Sequence, residues 1–192
     1  MAGLEYRLAT YCGTLTVYGV FAKFFHKTLL WQRGANKLQH IDFSEEPMDE
    51  PPSWSWMAYT GGIDYFPVPD VGLTSKTYVK FDYPKIGTRC ALVGPLWKVP
   101  MATSPEQCED TNFNLNRADS DDAYWVRYDD DRDLKRVDCL EFMPILDGGL
   151  DLPSKLTYGL LIKANDQVYR RVGVASVQTG SDYAVSEQVR VI

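Results

Sequence analysis

The chain has 192 residues, 45 % of them apolar and 24 % charged, the proportions of a globular domain and not of a disordered or fibrous chain. A count of 20 Lys and Arg against 26 Asp and Glu leaves a formal charge of −6, which disfavours nucleic acid or anionic lipid as a partner, since both attract clustered positive charge. No apolar run reaches the roughly 18 residues of a membrane span, and Met1 to Arg7 lack the apolar core of a secretory signal, so no membrane partner and a cytoplasmic location are expected.

The first element expected in chain order is a helix. Leu15, Tyr18, Phe21, Phe25 and Leu29 recur at three- and four-residue steps, which places them on one helical face and predicts a helix over Thr14–Trp31. Thr14 can cap its start, and Gly34 lies past its end, giving a helical N-terminal segment over 1–34. Gly19 weakens such a helix by about 1 kcal/mol relative to Ala, so packing has to support it. An acidic, Pro-containing loop over 44–52 follows.

From Ser53 the signals become β. Runs that alternate, or are rich in β-branched and aromatic residues, predict strands at Ser53–Tyr59, Ile63–Pro67, Thr77–Tyr83, Arg89–Val93, Tyr124–Tyr128, Arg136–Met143, Tyr158–Lys163, Val168–Val177 and Val185–Val191. Val79 and Phe81 oppose Lys80 and Asp82, the pattern of a half-buried strand. Gly61-Gly62 and Asn165-Asp166 are candidate hairpin turns, and the polar stretch over 100–122 is a candidate lid. One helix followed by about nine short strands predicts a single mainly β domain over 1–192. Its 53–192 portion would form a closed or nearly closed antiparallel β-barrel or sandwich, with one N-terminal helix beside it.

Several chemistries lack their motifs. His26 and His40 are the only histidines, and no zinc-ligand spacing, Gly-x-Ser-x-Gly elbow, P-loop or dinucleotide fingerprint occurs. The run Asp129-Asp130-Asp131-Arg132-Asp133 fails as a calcium loop, because Leu134 and Leu140 stand where Gly and Glu are needed, and it reads as a solvated turn. Cys12, Cys90, Cys108 and Cys139 are scattered and read as reduced thiols. No metal and no other cofactor is expected.

What remains is aromatic and basic. Twelve Tyr, 8 Phe and 5 Trp make 13 % of the chain, enough to fill a core or to line a pocket for a flat apolar ligand. As a strand, Pro52-Ser53-Trp54-Ser55-Trp56 would put both indoles on one face. Tyr169-Arg170-Arg171-Val172-Gly173 holds an adjacent arginine pair, which suits an exposed edge or anion recognition equally.

Leu29-Leu30-Trp31, Pro52-Ser53-Trp54-Ser55-Trp56-Met57-Ala58-Tyr59-Thr60-Gly61-Gly62, Tyr158-Gly159-Leu160-Leu161 and Tyr169-Arg170-Arg171-Val172-Gly173 occur in one order along the chain. In these segments it resembles the C-terminal region of fungal heterokaryon-incompatibility (HET) domain proteins, from about Tyr6 to Val177. The HET domain itself has no counterpart here. The resemblance implies a fungal origin and a β-rich fold, and carries no catalytic residue with it.

Two functions from different classes fit these features, with a structural remnant as a third. One is a cofactor-free cyclase, pericyclase or isomerase, analogous in class to standalone fungal Diels–Alderases, acting on an apolar polyketide, terpenoid or polyene. Trp54, Trp56, Tyr59, Tyr65 and Tyr124 would wall its substrate, and Lys80, Arg127, Tyr169 and His40 would donate hydrogen bonds or exchange a proton. The other is a non-catalytic binding or interaction module. A homodimer is compatible with either.

Overall fold

The N-terminal stretch folds as helix, hairpin and short helix. Helix α1 spans Ala2–Cys12, strands β1 and β2 span Thr16–Val17 and Val20–Phe21, and α2 spans Phe25–Leu29 after a 3-10 turn at Ala22–Phe24. The continuous helix expected over Thr14–Trp31 does not form, because Tyr18 and Gly19 adopt positive φ of 48° and 78°. Positive φ at both central residues is the requirement of a two-residue type I′ hairpin turn, and Thr16 pairs with Phe21 across it. The Glu5 carboxylate holds the turn, accepting from Thr16 Oγ1 at 2.6 Å and from the Gly19 amide at 2.8 Å. Leu15, the first residue of the supposed apolar face, is 70 % exposed.

The computed structural model describes residues 2–34, 38–45, 50–66, 68, 78–82, 90–100, 125–130, 139–148, 156–178 and 184–192. After Leu30 the chain enters an irregular antiparallel ribbon. Strand β3 (Trp31–Arg33) pairs with β6 (Ile63–Tyr65), and β4 (Gln39–His40) pairs with β5 (Tyr59–Thr60). The Gly34 amide donates to the Gly62 carbonyl at 2.8 Å and the Ile41 amide to that of Ala58 at 2.9 Å, which extends the ladder. Gly61-Gly62 is thus a corner between strands with different partners and not a hairpin turn. Ser53–Tyr59 is not a strand either. Its centre is a 3-10 turn, Trp56–Ala58, capped by Ser55 Oγ, which accepts from the Met57 amide at 3.0 Å and donates to the Tyr18 carbonyl at 2.8 Å.

The rest is sheet. Its strands are β7 (Lys80–Asp82), β8 (Ala91–Pro100), β9 (Trp125–Tyr128), β10 (Cys139–Asp147), β11 (Leu156–Asn165), β12 (Val168–Gln178) and β13 (Ala184–Val191). Pairing runs from β8 to β10, β11, β12 and β13 and returns to β8, so the ladder closes on itself. Every step is antiparallel except a single parallel contact, Tyr169 with Val191. β7 adds to β8 and β9 to β12. Asn165 pairs with Val168 around Asp166-Gln167, so the turn expected here is present, with Asp166 at φ 54°. The fold is mainly β and barrel-like, with a helix at its N-terminus.

Alternation along β11 and β12 sends side chains into two apolar clusters. One gathers Leu92, Met143, Ile145, Leu160, Val174 and Val191 with Leu29, Leu30 and Trp54, so the N-terminal segment and the sheet share a core. The second holds Trp97, Val126, Tyr128, Phe142, Leu161 and Val177. No described helix is long and apolar enough to cross a membrane.

Candidate binding cleft

Arg171 sits on β12 where the strand faces Leu29–Trp31, and its side chain is fully buried. A buried guanidinium is stable only if its planar fork is bonded on all sides. Here Nε donates to Asp129 Oδ2 at 2.9 Å and Nη2 to Oδ1 at 3.1 Å. Nη1 donates to the Leu29 carbonyl at 3.0 Å, and Nη2 reaches the Trp31 carbonyl as well. The Trp31 ring covers its face, with Cζ 3.4 Å from the ring centre. The Arg171 amide donates to Ser53 Oγ at 3.0 Å, and that hydroxyl donates to the main-chain oxygen of Ile192. Trp31 Nε1 donates to the Trp54 carbonyl at 2.8 Å. Leu29-Leu30-Trp31, Ser53-Trp54, Asp129 and Arg171 therefore meet in one hydrogen-bonded hub.

Above the hub lies a cleft of about 350 Å³. Asp129 and Arg171 form its deepest part. Leu38, His40 and Tyr59 reach it from the ribbon, and Asp130, Arg170 and Val172 from the sheet side. The ribbon residues are held in place by stacking. Tyr59 lies 5.4 Å from Trp31, and His40 meets Tyr59 edge-on at 5.4 Å, so a column runs from Arg171 outward through Trp31 and Tyr59 to His40. His40 is 46 % exposed, with Nε2 3.9 Å from Glu50 Oε1. Nearby, the Asp42 carboxyl is held below its ordinary value, mainly by hydrogen bonds from the backbone and side chain of Ser44, with His40 adding a smaller attraction.

The cleft can do three things chemically. Arg170 supplies a positive charge, Asp130 a negative one, and His40 an imidazole whose two ring nitrogens can donate or accept a hydrogen bond. The Arg171–Asp129 pair is internally matched. Among the described residues, no group of three or more His, Cys, Asp or Glu side chains is placed to hold a metal ion.

Of the residues singled out from the sequence, His40 and Tyr59 come together in this cleft, and the others do not join them. Lys80 is exposed on β7. Arg127 Nη2 donates to the Gly34 carbonyl at 3.1 Å, which ties the ribbon to β9. Tyr169 packs against the larger core cluster, and its hydroxyl pKa is raised by burial, with smaller contributions from Glu141 and Glu187. Trp54 is sealed in that core between Tyr18 and Phe81, at 6.1 and 5.5 Å. Trp56 lies against Gly19, its Nε1 3.4 Å from the Gly19 carbonyl oxygen. Tyr65 is 49 % exposed on β6. Tyr124 falls outside the described residues. Trp54 is buried and Trp56 half-buried, and they are not neighbours on a strand face, because the chain turns between them.

Arg170, Arg171, Asp129, Asp130, Leu38 and Val172 were not among the expected site residues. A solvated turn would leave the start of the Asp129 run exposed, yet Asp129 is 4 % exposed, and half of the arginine pair is core and not edge. A usable signal existed: alternation puts the two adjacent arginines on opposite faces of β12, and an arginine on a core-facing side needs a buried carboxylate. No protein family, no curated protein and no solved structure matches this chain. Fold and site alone define the class: a barrel-like β domain with a polar cleft between its N-terminal ribbon and β12.

Proposed function

We propose that the chain is a binding module whose ligand or partner segment occupies the cleft between β4–β5 and β12. The observation that carries this reading is the Arg171 hub. Leu29-Leu30-Trp31, Ser53-Trp54 and Arg171, from segments that resemble HET-protein C-terminal regions, are all engaged in holding the scaffold, and what the scaffold presents is the cleft. A fungal origin and a cytoplasmic location belong to the same reading.

A second reading is a cofactor-free cyclase, pericyclase or isomerase acting on an apolar, conjugated metabolite. It is favoured by the placement of the His40 imidazole edge-on against Tyr59 in the same cleft. Protein-observed NMR separates the two, using polar amide and carboxylate fragments in one set and conjugated polyenes in another. Binding-module behaviour is saturable shifts at His40, Tyr59 and Val172 with polar fragments and no chemical change in any polyene. Turnover of a polyene that is abolished by His40→Ala would replace the module with the enzyme.

A further inference from the structure

Resting on the binding-module reading, we infer that the cleft takes a short peptide segment without net charge, carrying one small apolar side chain. The argument begins with charge. Arg170 and Asp130 present opposite fixed charges to the cleft, and the deeper Arg171–Asp129 pair cancels itself at 2.9 Å. An anion such as phosphate would meet Arg170 but also the carboxylates of Asp130 and Asp129, and a polyamine would meet the reverse mismatch. Like charges brought together as a ligand loses water disfavour both. A peptide unit avoids the conflict, since its N–H can be donated to a carboxylate while its carbonyl accepts from a guanidinium.

Shape points the same way. Leu38, Val172 and the Tyr59 ring supply an apolar surface beside the polar pair, which is how a peptide site separates side-chain from backbone recognition. About 350 Å³ is near the lower limit for small-molecule sites and suits two or three residues. The backbone on one side is also prepared. Among the described residues β4 pairs with β5 alone, in a two-stranded sheet, and Gln39 and His40 are both exposed. In this reading an extended segment lies along β4, where main-chain hydrogen bonds contribute whatever the partner's sequence.

The test is NMR titration of the whole chain with three probes: acetyl-Gly-Leu-Gly-amide, inorganic phosphate and spermidine. The expected result is saturable shifts at His40, Tyr59 and Val172 with the capped peptide, at least tenfold tighter than with either ion. His40→Ala and Arg170→Gln should each weaken the peptide by at least tenfold while leaving the remaining amide spectrum in place. If phosphate or spermidine saturates the cleft more tightly than the peptide, the peptide assignment falls and the binding module stands. If none of the three perturbs these residues, both readings fall.

Discussion

The guanidinium carbon of Arg171 lies 3.4 Å from the ring centre of Trp31, inside a core where neither side chain reaches solvent. This contact joins the sheet to the N-terminal segment, and the ion pair to Asp129 makes a buried cation tolerable. Removing one partner leaves the other charge buried and unmatched. Arg171→Met and Asp129→Asn should therefore each lower unfolding free energy by about 3–5 kcal/mol, the usual range for breaking a buried pair. The double variant Arg171→Met, Asp129→Asn should lose clearly less than the sum, because no isolated charge remains. Urea denaturation of the four proteins checks this, and additive losses would mean that the pair is not coupled.

Gly19→Ala distinguishes the hairpin from the helix that spacing alone predicts. In a helix the substitution would stabilise by about 1 kcal/mol. In the hairpin, Gly19 has φ 78°, and an added Cβ would stand 2.5 Å from Trp56 Nε1. Left-handed backbone costs an L-residue about 1–2 kcal/mol before any clash is counted. The expected outcome is a lower melting temperature together with a changed environment for Trp56 in near-ultraviolet circular dichroism. A rise in melting temperature would contradict the turn.

That contrast shows where sequence reading worked. Runs of alternating, β-branched and aromatic residues overlap eight of the strands found, and the central parts of β11 and β12 are buried on both faces, so their sequences read as near-continuous apolar runs. The three- and four-residue spacing of Leu15 to Leu29 misled, since apolar residues at those intervals also arise when a hairpin and a short helix pack on one surface. α1 lies inside the helical segment expected over 1–34 but has no periodic signal of its own, since Tyr6, Leu8 and Tyr11 are exposed and the helix carries no clean apolar stripe. The cleft was legible only in His40 and Tyr59. Apart from Leu38, its other walls are 70 or more positions away in the chain, and only the packing of the ribbon against β12 and the end of β9 brings them together.

Close approach of strands yields a graded prediction. A Cβ on Gly159 would lie 2.2 Å from the Met143 carbonyl oxygen, and one on Gly173 would lie 2.3 Å from that of Arg127. Both obstacles are backbone in paired strands, which cannot yield without breaking the ladder. Gly159→Ala and Gly173→Ala should each destabilise by about 1–3 kcal/mol or more, the scale of core overpacking. Gly62→Ala, with nothing within 4 Å of the new carbon, should change stability by less than about 0.5 kcal/mol. Equal effects at all three positions would contradict the strand register.

The last prediction concerns alkaline pH. The Tyr78 hydroxyl donates to Asp147 Oδ2 at 2.6 Å, and Thr157 Oγ1 donates to the other oxygen at 2.9 Å. Burial is the main reason the Tyr78 pKa rises well above 10.0, and the hydrogen bond and negative charge of Asp147 push it further. Tyr158, Tyr65 and Tyr169 are also raised, in each case chiefly by burial. A pKa raised in the folded state means that the folded chain keeps protons the unfolded chain has released. Stability from these groups is thus fully present below pH 10.0 and declines as pH rises through the folded-state values. Tyr78→Phe should lower stability at neutral pH by about 0.5–1.5 kcal/mol for the lost hydrogen bond, and should flatten the alkaline decline. Denaturation midpoints measured from neutral to strongly alkaline pH for both proteins decide it. An alkaline slope unchanged by Tyr78→Phe would show that this hydroxyl titrates as it does in the unfolded chain.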